Sequence, residues 1–308
     1  MNIEFLLAAA FVSATPIIFA ALGELLIERA GILNLGIEGT MLIGAVTGFT
    51  AASLSGSPVV GIAAAVAAGG LWGAIFAAAV VTLRLDQVVT GLAFTILGTG
   101  ISSFIGEGFV GKTLSAKLPD IDLGVLEDMP FFGPVLFSQD PLVLASLVLV
   151  GLVSVFLWKT RAGLILRTLG ESPQALDALG QPVAGLRFLY SIVGSGFIAL
   201  GGAYLSVVFT PSWVENMTAG RGWIALGIVI FAGWRPSWIA LGAALFGIID
   251  AYRFRAQIGG EPWIDPHFLN MLPYVVILVV LGMTSSGAGR RRLFAPAALG
   301  RPYDRERR

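Results

Sequence analysis

PVVGIAAAVAAGGLWGAIFAAAVVTL, residues 58–83, holds 26 positions without one charged side chain. As an α-helix rising 1.5 Å per residue it would reach about 39 Å. The hydrocarbon layer of a bilayer is about 30 Å thick, and about 20 mostly apolar residues cross it. The stretch therefore reads as a membrane span. Its residues do not alternate apolar with polar, as a strand of a membrane barrel requires.

Working outward, the runs 5–23, 87–106, 141–158 and 188–208 are also free of charge, and 31–52 is interrupted only by Glu38. The first run lacks the basic flank of a cleaved signal, since Glu4 is the only charge before it, so it reads as a retained span. Two shorter runs, 222–234 and 237–249, read either as two short crossings or as a re-entrant hairpin, and 268–283 is the last span. The expectation is an all-α integral membrane protein, one transmembrane domain over 1–308, with about nine membrane segments including broken or short helices.

Composition agrees. Hydrophobic residues make up 56% and charged residues 12%, where soluble domains carry about 25% charged, and the mean hydropathy is +0.87. With no Cys and a single histidine, His267, neither disulfides nor a Cys or His metal cluster is expected. Net charge is zero and gives no handle for nucleic acid. No cofactor, metal or nucleic acid is expected. A membrane enzyme would need polar catalytic groups converging at one depth, and Glu38 and Asp250 alone are thin for acid–base chemistry.

Lys and Arg set orientation. Seven Arg follow residue 289, so the basic tail, 285–308, is expected in the cytoplasm, and the loop 159–187 with Lys159, Arg161, Arg167 and Arg187 reads the same way. The loop 107–140 has two Lys against six acids and reads as external. Counting spans back places the N-terminus outside. The tail itself reads as a disordered, solvated segment that sets topology. Trp213, Trp223, Trp234, Trp238 and Trp263 sit near span ends and read as interfacial anchors.

One motif points elsewhere. GEGFVGKT, 106–113, matches the phosphate-loop pattern G-x-x-x-x-G-K-[ST]. That motif needs a buried strand before it and a helix start after it. Here a membrane span precedes, and LSAKLPDIDLG follows. The match is read as chance, with no nucleotide bound.

Four stretches carry a family resemblance: GELLIERAGILNLGIEGTMLIGA (23–45), LRLDQVVTGLAF (83–94), LRTLGESPQALDALG (166–180) and GRGWIALGIVIFAGWRPSWIALGAALFG (220–247). They resemble permease subunits of ABC importers for simple sugars, nucleosides and branched-chain amino acids. ERAGILNLGIEG looks most like the nucleoside-type branch. The resemblance implies a type II ABC importer-like permease fold in a bacterial plasma membrane, with the substrate path between two permease subunits. It implies a separate ATP-binding cassette ATPase subunit, a second permease that is a different chain, and an external substrate-binding lipoprotein. The expected cargo is a nucleoside or related purine compound; a simple sugar or branched-chain amino acid is the alternative. A channel or secondary transporter working without an ATPase is the other class of reading.

Candidate site residues fall in two groups. Glu38 lies in mid-span, where an acid costs about 2.5–3.5 kcal/mol, and Asn34 lies four residues earlier on the same helical face. They can be read as a polar patch on the substrate path. The favoured reading is that Glu38 satisfies backbone groups where a Gly-rich helix breaks. Thr90 and Thr95 are further substrate-path candidates, although hydroxyls in membrane helices more often bond backbone. The second group is a short helix whose signals are Ser172 as N-cap, Pro173 at the first helical position and Gly180 as the stop. At about seven residues it cannot stand alone. By resemblance it is the helix that docks into the ATPase, with Gly170, Glu171, Ala178 and Gly180 matching the family pattern.

Overall fold

The computed structural model describes residues 3–119, 124–258 and 295–304, with isolated positions between 268 and 282. Every named element is helical. In chain order they are α1 (Ile3–Arg29), α2 (Ile37–Ser55), α3 (Pro58–Ala77), α4 (Gln87–Gly106), α5 (Pro141–Lys159), α6 (Arg161–Glu171), α7 (Pro173–Ala178), α8 (Val183–Ala203), α9 (Arg221–Phe231) and α10 (Pro236–Ile258). The backbone continues past α3 and α8 as π-helical turns, Ala78–Thr82 and Tyr204–Phe209. Six of the helices are long and apolar enough to cross a membrane. The span expected at 268–283 lies largely outside the described residues.

Local signals set the helix starts. Asp86 accepts from Val89 N at 2.9 Å to open α4. Asp140 accepts from Leu142 N and Val143 N to open α5, and Tyr204 donates its hydroxyl to the same carboxylate at 2.8 Å. Burial pushes the Asp140 carboxyl above the usual carboxylate range, and these hydrogen bonds oppose the rise.

The centre of the bundle is α1, α2 and α8. Between 61% and 72% of their apolar spans is buried, against 22% for α4 and 28% for α5. In lipid the solvent is as apolar as the side chains, so helices associate through close packing, which small residues permit. A Cβ on Gly44 would lie 2.1 Å from the Ala199 carbonyl oxygen, and one on Gly202 would lie 1.9 Å from that of Met41. The α2 and α8 backbones touch there, and no larger residue fits.

Several sequence expectations change. The first span does not stop at residue 23: α1 runs on through Glu24, Glu28 and Arg29, all buried. The run 237–249 is not short either; it is the first part of the 23-residue α10. The helix continues because Asp250 pairs with Arg253 at 2.6 Å and with Arg221 at 3.4 Å. Trp213 and Trp234 are buried at 0% and 3% exposure, so they are core residues and not interfacial anchors. Trp213 packs with Ala45, Val46 and Phe49, and Trp263 lies outside the described residues.

The described part of the tail also differs from the disordered, solvated segment expected. Residues 295–304 fold back onto the bundle: Ala298 N donates to Gly170 O at 2.8 Å, and Asp304 pairs with Arg84 at 2.8 Å. Small residues make this possible, since Pro296 and Ala298 sit against Gly170 and Gly31, which have no side chains to displace them.

The backbone contact predicts a sharp contrast. Gly202→Leu should destabilise the detergent-purified protein by about 1–3 kcal/mol or more, the usual range for overpacking. Gly100→Leu, on an exposed face with nothing within 4 Å of its added Cβ, should be neutral. Thermal melting of both variants measures the contrast, and equal melting points would refute it.

Candidate functional site

A short helix that begins inside the bundle organises the first part of the site. α9 has 11 residues, about 16 Å, roughly half a hydrocarbon layer. Its C-terminal end leads to Trp234, whose indole donates to Glu28 at 2.6 Å and whose carbonyl accepts from Arg29 at 2.8 Å. That fixes the far end of α9 at the end of α1. Its N-terminus therefore lies at membrane depth, where the first N–H groups of a helix have no partners of their own.

Glu38, in the first turn of α2, supplies the partners. One carboxylate oxygen accepts from Thr218 Oγ1 at 2.5 Å and Gly220 N at 2.9 Å; the other accepts from Gly222 N at 2.7 Å. A hydrogen bond to a charged group is worth about 1.5–3 kcal/mol, so three offset the insertion cost of about 2.5–3.5 kcal/mol. The positive end of the α9 dipole adds to the attraction. Glycine is needed on both sides of the cap. Gly220 has φ +81°, and a Cβ on Gly222 would lie 2.6 Å from Glu38 Oε2.

The segment between α1 and α2 is buried beside this cap and is held group by group. Asn34 Nδ2 donates to Glu24 at 2.9 Å, and Asn34 Oδ1 accepts from Gly36 N at 3.0 Å. Gln87 accepts from Leu33 N at 2.7 Å, and Thr95 donates its hydroxyl to Leu35 O at 2.9 Å. Thr90 is buried on α4. Glu38 and Thr95 thus reach from α2 and α4 onto two irregular stretches, 30–36 and 215–220, and the start of α9. Asn34 lies within the first stretch, not on a helical face with Glu38, and Glu38 stands in the first turn of α2 and not in mid-span, because the helix breaks between them. Sequence reasoning missed Glu24, Glu28, Gln87 and Thr218. Their signal was polar residues within or beside otherwise apolar runs.

The second part of the site is the other loop. α7 begins at Pro173 with Ser172 Oγ accepting from Ala175 N at 3.4 Å, and Gly180 follows it at φ +74°. Six residues make a helix only because Pro173 and Leu176 are buried against the bundle. Gly170 is in contact with the end of α1, where a Cβ would lie 2.4 Å from Arg29 O. Glu171 accepts from Ala297 N of the tail at 3.3 Å. Ala178, Leu179 and Gly180 face outward, and Leu179 is 74% exposed, an apolar side chain at the tip of the loop.

The GEGFVGKT stretch lies at the other end of the bundle. A helix precedes it, Val110 and Thr113 bridge to Trp213 and Ser212, and the Lys112 ammonium sits 4.7 Å over the Phe109 ring. The strand and helix start of a phosphate loop are missing there. Among the described residues no group of acids and His could hold a metal.

The cap yields a graded prediction. Glu38→Gln keeps the shape but turns one acceptor into a donor facing the start of α9, and should cost about 1–3 kcal/mol. Glu38→Leu leaves three donors without partners and should cost more. Melting of the purified protein orders the two; Glu38→Leu as stable as the native chain would exclude the capping role.

Comparison with known proteins places this architecture. Residues 6–281 match the family described as the permease component of branched-chain amino acid transport systems. The chain is 36% identical over 98% of its length to a Haloferax volcanii protein named "Putative glucose ABC transporter permease protein TsgC13", covering 98% of that protein. It is 33% identical over 99% of its length to the guanosine ABC transporter permease NupQ of Bacillus subtilis, again covering 98%. A solved structure described as an inward-facing metal-chelate type ABC transporter superposes with a TM-score of 0.51 at 17% identity, over 90% of this chain and 85% of that one, and so shares the fold. The chain belongs to the family of branched-chain amino acid transport system permease components: it is a multi-pass membrane permease subunit of an ABC transporter, a transport component and not an enzyme.

Proposed function

We propose that this permease carries nucleosides or related purine compounds inward, driven by ATP hydrolysed on a separate ATPase subunit. The observation that carries the substrate class is the similarity along nearly the whole chain to a guanosine permease. The glucose-type relative supports a second reading, a simple sugar. Both classes offer the hydroxyls of a sugar ring. The proposed assembly pairs this chain with a different permease and receives cargo from an external substrate-binding lipoprotein. The basic end, with α6, α7 and the tail, faces the cytoplasm in this reading.

In the proposed cycle Asn34, Glu38 and Thr95 hold the α1–α2 corner and the start of α9 together at membrane depth. Their polar atoms are engaged by protein groups, which supports a positioning role beside the substrate path. α7 is the contact with the ATPase, with Gly170, Glu171 and Ser172 fixing it to the bundle and Ala178, Leu179 and Gly180 presenting its outer face. The exposed Leu179 supports an apolar contact at that tip.

Two measurements test the reading. Uptake of radiolabelled guanosine and glucose in cells with the gene deleted should show loss of guanosine uptake, restored by complementation. Loss of glucose uptake alone would transfer the assignment to the sugar. Leu179→Asp or Ala178→Trp, both on the exposed outer face of the loop, should reduce transport at least tenfold without lowering the amount of folded permease in the membrane. Normal transport in both variants would remove α7 from the coupling role.

A further inference from the structure

The turn between α3 and α4 carries a residue that local chemistry does not explain. Arg84 follows the π-helical turn Ala78–Thr82 with φ +55°. The position just past a helix end is usually glycine when its backbone is left-handed, because that conformation crowds a Cβ. Glycine would serve here. The bonds that close the turn, Leu83 N to Ala78 O at 3.0 Å and Leu85 N to Ala79 O at 3.1 Å, are main-chain bonds. Leu83 and Leu85 are 68% and 49% exposed, so packing does not impose the conformation. What arginine supplies and glycine cannot is a side chain, and its Nη1 donates to Asp304 at 2.8 Å across 220 residues of sequence.

The pair joins two sets of contacts. On one side is the tail, where Ala298 N donates to Gly170 O at 2.8 Å and Ala297 N to Glu171 at 3.3 Å. Gly170 and Glu171 stand directly before Ser172, the cap of α7. On the other side is α4, which begins at Gln87 just after Arg84. Gln87 accepts from Leu33 N at 2.7 Å, a Cβ on Gly91 would lie 2.7 Å from Leu35 N, and Thr95 donates to Leu35 O at 2.9 Å. The first turns of α4 thus hold the 30–36 corner, where Asn34 bonds Glu24. The ion pair itself is open to solvent, its side chains 51% and 20% exposed. At that exposure it adds little to stability, while the left-handed arginine costs some. Such a contact is made and broken cheaply, and residues held in sparsely populated backbone conformations gather at switch regions.

We propose that Arg84 and Asp304 form a latch between the tail and α4, through which displacement of α7 by the ATPase reaches the α1–α2 corner. Both are positioning residues that act through α4 and not on the cargo. The proposal rests on the reading of α7 as the ATPase contact and does not depend on the substrate carried.

The test uses the assembled transporter with its ATPase. Hydrogen–deuterium exchange compares the nucleotide-free complex with one held by a non-hydrolysable ATP analogue. In the native complex the analogue should change exchange at 30–36 and 87–91. Arg84→Asp and Asp304→Arg each set like charges against one another and should shrink that response about fivefold, within the range found for coupling residues, while the ATPase still co-purifies. The double variant, Arg84→Asp with Asp304→Arg, renews the attraction and should restore most of the response. Arg84→Gly keeps the left-handed backbone and loses only the pair. It should melt no lower than the native chain and still lose the response, a combination that a merely structural role does not give. If a charge reversal does not fold, Arg84→Gly and Asp304→Asn decide. The proposal is overturned if the native complex shows no response at these segments, if Arg84→Gly and Asp304→Asn respond as the native does, or if the double variant folds and is no better than the single ones. Leu179→Asp separates the two readings. A native response in Leu179→Asp refutes the α7 contact, whereas a native response in Arg84→Gly refutes the latch and leaves that contact standing.

Discussion

The carboxylate of Glu38 closes the start of a helix that begins inside the bundle. Inside a packed bundle an unpaired N–H at the start of α9 needs a protein acceptor. Glu38 meets Thr218, Gly220 and Gly222 at once. This single contact ties α2 to α9. Because α9 ends at Trp234 on Glu28 and Arg29, it ties the far end of α9 to α1 as well. The irregular stretch 30–36 can then stay buried, with Asn34, Gln87 and Thr95 pairing its backbone. Two breaks in regular structure support each other, and either alone would leave polar backbone in an apolar medium.

Around this polar centre the bundle divides by packing. α8 meets both α1 and α2 at backbone distance through small residues. α4 and α5 leave most of their surface outward, available to lipid or to neighbouring subunits.

At the basic end, four sequence-distant corners converge. α7 follows Gly170, which lies against Arg29 of α1. The tail runs across that contact, bonded to Gly170 and Glu171 and reaching Arg84 through Asp304. A push on α7 would therefore reach α1 and the α3–α4 turn through short, packed contacts. The buried Arg187 lies beneath the same tail, with Nη1 3.4 Å from Arg301 O.

Much of the architecture was legible in the sequence because a bilayer leaves few choices. Long uncharged runs must be helices, and Ser172, Pro173 and Gly180 bracket α7 by local backbone chemistry that needs no distant partner. The sequence also marked Glu38 as anomalous, since a mid-span acid must be compensated. It could not say by what: Thr218, Gly220 and Gly222 lie about 180 residues away, and hydrogen bonds at that separation leave no local pattern. The same reason hid the burial of Glu24, Glu28 and Arg29, which a reading by charge takes as the end of a span. It also hid the docking of the tail, whose Arg-rich composition suggests solvent while its Pro296–Ala298 stretch fits against Gly170 and Gly31. Local chemistry and the solvent fixed which segments are helical. Only the tertiary structure decided which polar groups meet, because that depends on helices brought together from distant parts of the chain.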